Sequence, residues 1–402
     1  MNKRKLINDP VYGLIHIRTP LLFDLIEHPL FQRLRRIKQT GLTHLVYPGA
    51  QHTRFHHALG AMHLMGMAID ELRSKQVEIS PQEAEAALIA VLLHDIGHSP
   101  YSHALEGQLI KTDHESIGKV LISHLQKTLD HTIGLALEMF EGLYHRPFFH
   151  QLISGQLDLD RLDYLSRDSF YTGVAEGVVG HDRILRMLQV VDDKLVVEEK
   201  GLHSIEKFLV ARRIMYWQVY LHKTVLSAEL MARHIINLLR KEDASIRSGY
   251  VAPELEYFLA TEIDLKFFIN HFEEILPYFL KLDDVSIDYS IKQLQHYPPG
   301  PILFLTRNLV NRVLHKLQWS EVPFDKNIVR ELIQKSAAKY AWTEEVAATL
   351  VWEGSESNTI YNQSIDEIQI LTKEQMIKPF SSFLDTPVSI ALNKKFFICY
   401  PR

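Results

Sequence analysis

His94 and Asp95 stand side by side in the run ALIAVLLHDIGHSPYSH, residues 87 to 103. An ionised carboxylate beside an imidazole at the end of an apolar helix is costly unless a cation or a full set of hydrogen bonds compensates it. The pair therefore reads as half of a metal site. A divalent cation needs further ligands, and the chain offers His57 upstream and Asp160 downstream, the latter in SGQLDLDRLDYLSRD. Two imidazoles and two carboxylates suit Mn, Mg, Fe or Zn in different degrees. Near the pair, His98, His103 and His114 could move protons or orient water. His98 follows His94 by four residues and shares its face if the helix continues that far. Histidine is also the anomaly of composition, with 22 copies, nine of them between His44 and His114.

These side chains need helices to position them. Ser80-Pro81-Gln82-Glu83 is a helix start, with serine as cap, proline at the first turn and glutamate closing a capping box. Ala84, Ala87, Leu88, Val91 and Leu92 then form an apolar face running up to His94, and Gly97 with Ser99-Pro100 ends the helix. An earlier helix begins near Thr53, turns Phe55, Ala58, Leu59, Met62 and Met65 inward, and carries Arg54 and His57 within one turn. Residues 187 to 201 predict a hairpin about an Asp-Asp-Lys turn, followed by one long helix from Leu202 to about Leu239. Beyond Pro323, short β-prone runs appear at 367 to 371, 388 to 392 and 396 to 400. The expected architecture is mainly α: a helical core over residues 1–322 with a small β-hairpin insertion, and an α+β accessory domain over 323–402.

At 402 residues with 46% hydrophobic and 23% charged residues the chain has the composition of a globular protein. No apolar run approaches a bilayer span, and MNKRKLINDP lacks the apolar stretch of a signal peptide, so a cytoplasmic protein without membrane partners is expected. The single cysteine, Cys399, fits a reducing compartment. A net charge of −5 gives no general footprint for nucleic acid. Locally, Arg33, Arg35, Arg36 and Lys38 cluster in QRLRRIK, which reads either as a solvated helix face or as a phosphate-binding one.

Three segments, RFHHALG (54–60), HDIGHSPYSH (94–103) and DLDRLDYLSRD (158–168), in the order His, His-Asp, Asp, resemble the HD-domain phosphohydrolases. More narrowly they resemble the deoxynucleoside triphosphate triphosphohydrolase branch, which holds bacterial dGTPase-like enzymes and the vertebrate SAM- and HD-domain dNTPase. The likeness runs from about Glu27 through Lys223. It implies an HD-domain helical core in which His57, His94, Asp95 and Asp160 hold metal. It gives His98 and His114 catalytic roles, with Glu106 orienting His114 where the vertebrate member has aspartate.

The same resemblance assigns Arg54, Arg161 and Arg212 to the phosphate chain, with arginine at 161 in place of lysine. His103 is expected against substrate, and Gln39, Tyr164, Asp168 and Tyr220 around the sugar. Glu27, Gln32 and Arg35, with His222-Lys223, resemble a site where an activating nucleotide binds between subunits. The alternative for the first three is a helix packed by Phe31, Leu34 and Ile37. The implied activity is metal-dependent hydrolysis of a dNTP to deoxynucleoside and inorganic triphosphate, in a homo-oligomer, dimer or tetramer. Two alternatives remain: the same site acting on another nucleotide or a single-stranded nucleic-acid end, and a nucleotide sensor or nucleic-acid-binding protein with a vestigial site.

Overall fold

The computed structural model describes residues 5–357, 367–383 and 394–402, and it is mainly helical. Six helices build the site: α1 (Arg54–Ser74), α2 (Pro81–Leu93), α3 (His114–Thr128), α4 (Leu159–Thr172), α5 (Leu202–Met215) and α6 (Lys223–Leu239). Helix α2 is buried on every side from Ala86 to Leu93, as expected of a helix apolar all round. Its start follows the sequence signal: Ser80 Oγ accepts from Glu83 N at 3.1 Å, and Glu83 Oε2 accepts from Ser80 N at 2.8 Å. Thr53 caps α1, whose Phe55, Ala58, Leu59, Met62 and Met65 are all buried. Helix α1 packs against both α2 and α4. That layering places the end of α2 beside the first turns of α1 and α4.

Two expectations about helices are corrected. Helix α2 stops at Leu93, four residues before Gly97, because the chain tightens into i→i−3 bonds from Ile96 N to Leu93 O and from His98 N to Asp95 O, both 3.1 Å. His98 therefore leaves the axis of α2 and turns toward α3. The stretch expected as one helix from Leu202 to Leu239 is two, α5 and α6, separated by a π-helical turn at Tyr216–Tyr220. Such insertions re-aim side chains at functional sites. Here the turn points Tyr216 and Tyr220 into a cavity.

The hairpin forms at Leu188–Val191 and Lys194–Glu198. Asp192 and Asp193, at φ 52° and 55°, supply the left-handed two-residue turn. The strand Lys194–Glu198 pairs in parallel with Gln369–Leu371, and Lys316–Ser320 pairs with Lys395–Tyr400, which also pairs with Trp352–Glu356. Strand pairing thus crosses residue 322 twice. The β-prone run at 388 to 392 falls outside the described residues. Among the described residues no helix is long and apolar enough to cross a membrane.

In the QRLRRIK segment Arg33 is buried while Arg35 and Arg36 stay exposed, and each of these groups is engaged by the protein. Arg33 is fully buried and donates to His98 O at 2.8 Å and Leu282 O at 2.9 Å. Arg36 pairs with Asp283, and Arg35 lies over the Phe55 ring at 3.6 Å. Arg33 thereby pins the loop that carries His98. The loop's other restraint is Gly97, where a β-carbon would run into His114 O and lie 2.6 Å from Gly118 N. Gly97→Ala is expected to push α3 away from the loop and cost about 1–3 kcal/mol, the usual penalty of overpacking. Chemical denaturation checks this; an unchanged midpoint contradicts it.

Candidate active site

The first turn of α1, the end of α2 and the first turn of α4 converge on one point. His57 Nε2 lies 3.0 Å from Asp160 Oδ1, 3.2 Å from His94 Nε2 and 3.6 Å from Asp95 Oδ2. His94 Nε2 lies 3.3 Å from Asp95 Oδ1 and 3.6 Å from Asp160 Oδ1. A cation bound at about 2.1 Å separates its ligands by about 3.0–3.5 Å; His57, His94 and Asp160 bring one donor atom each within 4.8 Å of the others and fit a single ion, with Asp95 beside them. Both rings are fixed from behind. His57 Nδ1 meets Asp163 Oδ2 at 2.7 Å, and His94 Nδ1 meets Val91 O at 2.6 Å. That arrangement commits each Nε2 to the centre.

Buried charge governs the site. Asp163 is itself held by Arg167, through Nε to Oδ2 at 2.9 Å and Nη2 to Oδ1 at 3.0 Å. Arg167 Nη1 continues to Asp9 Oδ2 at 2.7 Å, so the N-terminal hairpin formed by Lys5–Asp9 and Gly13–Ile17 anchors the row. Burial alone would raise Asp95, but Arg54, His94 and His98 hold it well below the usual carboxylate range. Arg54 makes this contact through Nη1 at 2.6 Å, while its Nε donates to Ser102 Oγ at 2.8 Å. Burial disfavours the charged form of His57, yet hydrogen bonds to Asp160 and Asp163 outweigh it and push the ring up to about 10.

A second cluster adjoins the first. His98 Nε2 lies 3.2 Å from Asp95 Oδ1, and its ring stacks on His114 with centroids 3.7 Å apart. Glu106 clamps two histidines, His114 through Nδ1 and His103 through Nδ1 at 2.8 Å. Burial opposes its ionisation, but those hydrogen bonds keep Glu106 far below its ordinary range. His98 goes the other way: burial, with Arg54 and His114 nearby, lowers it and keeps it neutral. One nitrogen from each of His98, His103 and His114 lies within 4.8 Å of the others.

A cavity of about 530 Å³ opens on both clusters. Its walls carry Gln39, Tyr164, Asp168, Arg212 and Tyr220. Tyr220 donates to Asp168 Oδ2 at 2.6 Å, and Arg212 reaches only Gln156, at 3.4 Å. Gln39 Oε1 and Thr40 Oγ1 are buried without a partner among the described residues. Arg161 does not line the cavity; it pairs with Asp158, the residue that caps α4. Arg54 lines it, but with its guanidinium committed to Asp95 and Ser102.

The expected effector residues do not come together within one chain. Gln32 donates to Ile26 O at 2.7 Å and accepts from Arg35 Nε at 2.8 Å, whereas His222 caps α6 through Thr224 N at 3.2 Å. Among the described residues no hydrogen bond or ion pair joins Glu27, Gln32 or Arg35 to His222 or Lys223. Neither set lines the cavity.

Sequence reasoning missed Asp163, Arg167, Asp9, Ser102 and His52. His52 Nε2 meets Asp168 Oδ1 at 2.6 Å. Asp163 and Arg167 lie in a quoted motif at i,i+4 spacing, a pattern indistinguishable from an exposed helix pair.

Residues 54–168 match the HD domain family and residues 179–250 the HD associated region. The chain is 34% identical over 321 residues to the uncharacterized protein YwfO of Bacillus subtilis, covering 78% of this chain and 72% of that one. It is 30% identical to the deoxynucleoside triphosphate triphosphohydrolase SAMHD1 homolog of Dictyostelium discoideum, covering 78% of this chain but 59% of the other's length. A solved structure of a phosphohydrolase from Bacteroides thetaiotaomicron superposes over 100% of both chains, with TM-score 0.94 and 42% identity.

Asp163→Asn should leave His57 loosely oriented and lower metal affinity about 10–100-fold, the usual effect of losing such a support. Titration with Mn²⁺ followed by calorimetry measures it. The pH dependence has a definite sign. His57 is held protonated up to about pH 10 in the metal-free protein, so a cation must displace that proton. Metal affinity should therefore rise with pH between 6 and 9, by about tenfold per unit for one proton released. A flat profile contradicts the assignment of His57 as ligand.

Proposed function

The chain belongs to the HD-domain phosphohydrolases, in their dNTP triphosphohydrolase-like branch, and on that premise we propose that it hydrolyses dNTPs to deoxynucleoside and inorganic triphosphate. One observation carries the reading. A single cavity joins the cation-ready cluster, the carboxylate-held histidines, the guanidinium of Arg212, which has no carboxylate partner among the described residues, and Gln39 Oε1 and Thr40 Oγ1, partnerless among them. That combination offers charge for phosphates, proton transfer at one end of them, and acceptors for a sugar hydroxyl. Its volume lies within the usual range for small-molecule sites.

A divalent cation held by His57, His94, Asp95 and Asp160 would supply positive charge to the phosphate oxygens and lower the cost of activating water. The protein's own groups do the rest. Arg212, with no carboxylate partner among the described residues, meets the anionic chain and helps hold the α-phosphorus in line. Arg54 acts indirectly, fixing Asp95 and remaining at the wall. Attack by water forms the new P–O bond while the bond to the 5′-oxygen breaks. His114, oriented through Nδ1 by Glu106, is placed to give its other proton to that departing oxygen. Neutral His98, stacked on it, can accept a proton from the water. Tyr220, tied to Asp168 and hence to His52, and Tyr164 present ring faces where a 2′-hydroxyl would crowd.

The effector and oligomer readings are carried by the same likeness. Since Glu27, Gln32 and Arg35 lie apart from His222-Lys223 in one chain, an activating nucleotide would bridge two copies, and the assembly would be a dimer or tetramer. A cytoplasmic place fits the single buried Cys399.

Incubation of the protein with each dNTP and Mg, Mn or Fe should release deoxynucleoside and triphosphate in equal amounts by ion-exchange chromatography. Release of monophosphate or diphosphate nucleotides instead would overturn the reading. His114→Ala should lower kcat about 10²–10⁴-fold, the range for a general acid or base, with KM little changed.

A further inference from the structure

Past the tyrosines, the cavity wall changes character. Tyr164 and Tyr220 have ring centroids 6.1 Å apart, Tyr220 and Tyr216 6.4 Å, and Tyr216 donates to Ser357 O at 3.4 Å. This file leads from the helix that carries Asp160 to the strand Trp352–Glu356. At its far end Glu356 lines the cavity, together with Glu229 and Arg233, which are one turn apart on α6. None of these three belongs to the clusters described above.

All three groups are underused by the protein. Among the described residues, neither carboxyl accepts a hydrogen bond or forms an ion pair. Among the same residues Arg233 donates only from Nε, to Ala104 O at 3.3 Å, which leaves its terminal nitrogens without a partner there. Burial pushes Glu229 up to about 8 despite Arg233, and it raises Glu356 as well. Polar and charged groups walled into a cavity and left short of partners are expensive. They become favourable once a ligand brings N–H donors and an acceptor. Opposite Glu229 the wall is bare backbone: a β-carbon on Gly41, at φ 53°, would lie 2.8 Å from Tyr101 O and 3.5 Å from Glu229 Oε1. Gly41 thus keeps the backbone of its turn close to Glu229, where a side chain would collide with Tyr101 O.

We propose that this end of the cavity reads the hydrogen-bonding edge of the nucleobase and favours guanine. Glu229 and Glu356 accept from the ring N1–H and the exocyclic amino group, and Arg233 donates to O6 or N7. Guanine alone among the four bases sets two adjacent donors beside a carbonyl acceptor. Adenine and cytosine each place a ring acceptor next to their amino group, and thymine flanks its one N–H with two carbonyls. Arginine with guanine O6 and N7 is likewise a preferred pairing. The proposal rests on the dNTP reading above, and it assigns a recognition role to a strand of the C-terminal region.

The test measures binding of each of the four dNTPs to the whole protein in EDTA by equilibrium dialysis, with turnover in metal measured in parallel. The unsubstituted protein should bind dGTP most tightly. Glu229→Gln and, separately, Glu356→Gln should reduce the preference for dGTP over dTTP about tenfold or more, the scale of one bidentate base contact, with melting temperatures unchanged. A base ranking that neither substitution moves overturns the proposal, whatever the turnover. Base-ranked binding without turnover in any metal supports it while overturning the hydrolase reading. Absence of binding by all four nucleotides overturns the proposal, and absence of turnover in metal as well overturns both.

Discussion

Everything near the site follows from three buried or half-buried carboxylates, Asp95, Asp160 and Asp163, drawn into one place by helix packing. Each would rather be solvated, and each is compensated differently. Asp163 is neutralised by Arg167 from inside its own helix, Asp95 by Arg54 from α1, and Asp160 only by the two histidines. The set converges on one position, between His57 Nε2, His94 Nε2 and two carboxylates, whose negative charge a cation would balance. The protein's alternative is to keep protons on the histidines, which is why His57 titrates so high without metal.

This constraint explains architecture that would otherwise look arbitrary. A wholly buried α2 is needed because its end must deliver His94 and Asp95 to a dry point where charge interactions are strong. The early stop of α2 at Leu93 frees His98 to stack on His114, and Gly97 permits the approach of α3 that makes stacking possible. Arg33, reaching from a distant short helix to His98 O, stops the loop from relaxing. Even the N-terminal hairpin participates, since Asp9 takes the guanidinium nitrogen of Arg167 that Asp163 cannot use.

What could be read from the sequence was what repeats a local rule. The capping box at Ser80, the inward face of α1 and the turn at Asp192-Asp193 depend on neighbours within a few residues, and the pair His94-Asp95 stands out by residue type where apolar periodicity wants none. The residues missed obey no local rule. Asp163 and Arg167 look like a surface pair until tertiary packing buries them, and Arg33 looks like a solvated charge until Leu282 and His98 are found across the fold. Periodicity carried the helix prediction through Tyr216–Tyr220 because a π-turn adds one residue without changing composition. Arg161, matched by motif to the phosphate chain, is taken by Asp158, because a capping aspartate three residues earlier lies within its reach.

The cavity walls divide into two kinds of polar group, and the division is informative about how binding energy can be used. Around the metal donors nearly every group is already satisfied by the protein, so geometry is fixed before any ligand arrives, as preorganised electrostatics requires. Along the rest of the wall the reverse holds: Gln39 Oε1, Thr40 Oγ1, Arg212, Glu229 and Glu356 are left short of partners. Groups of the first kind cannot distinguish one ligand from another, because they do not change on binding. Groups of the second kind can, since a ligand that fails to supply the missing partner leaves a desolvated polar atom unpaired. Chemistry and selectivity are therefore separable in this molecule, the first built on α1, α2 and α4, and the second on the loop at Gln39, the turn at Tyr216–Tyr220, α6 and the C-terminal strand.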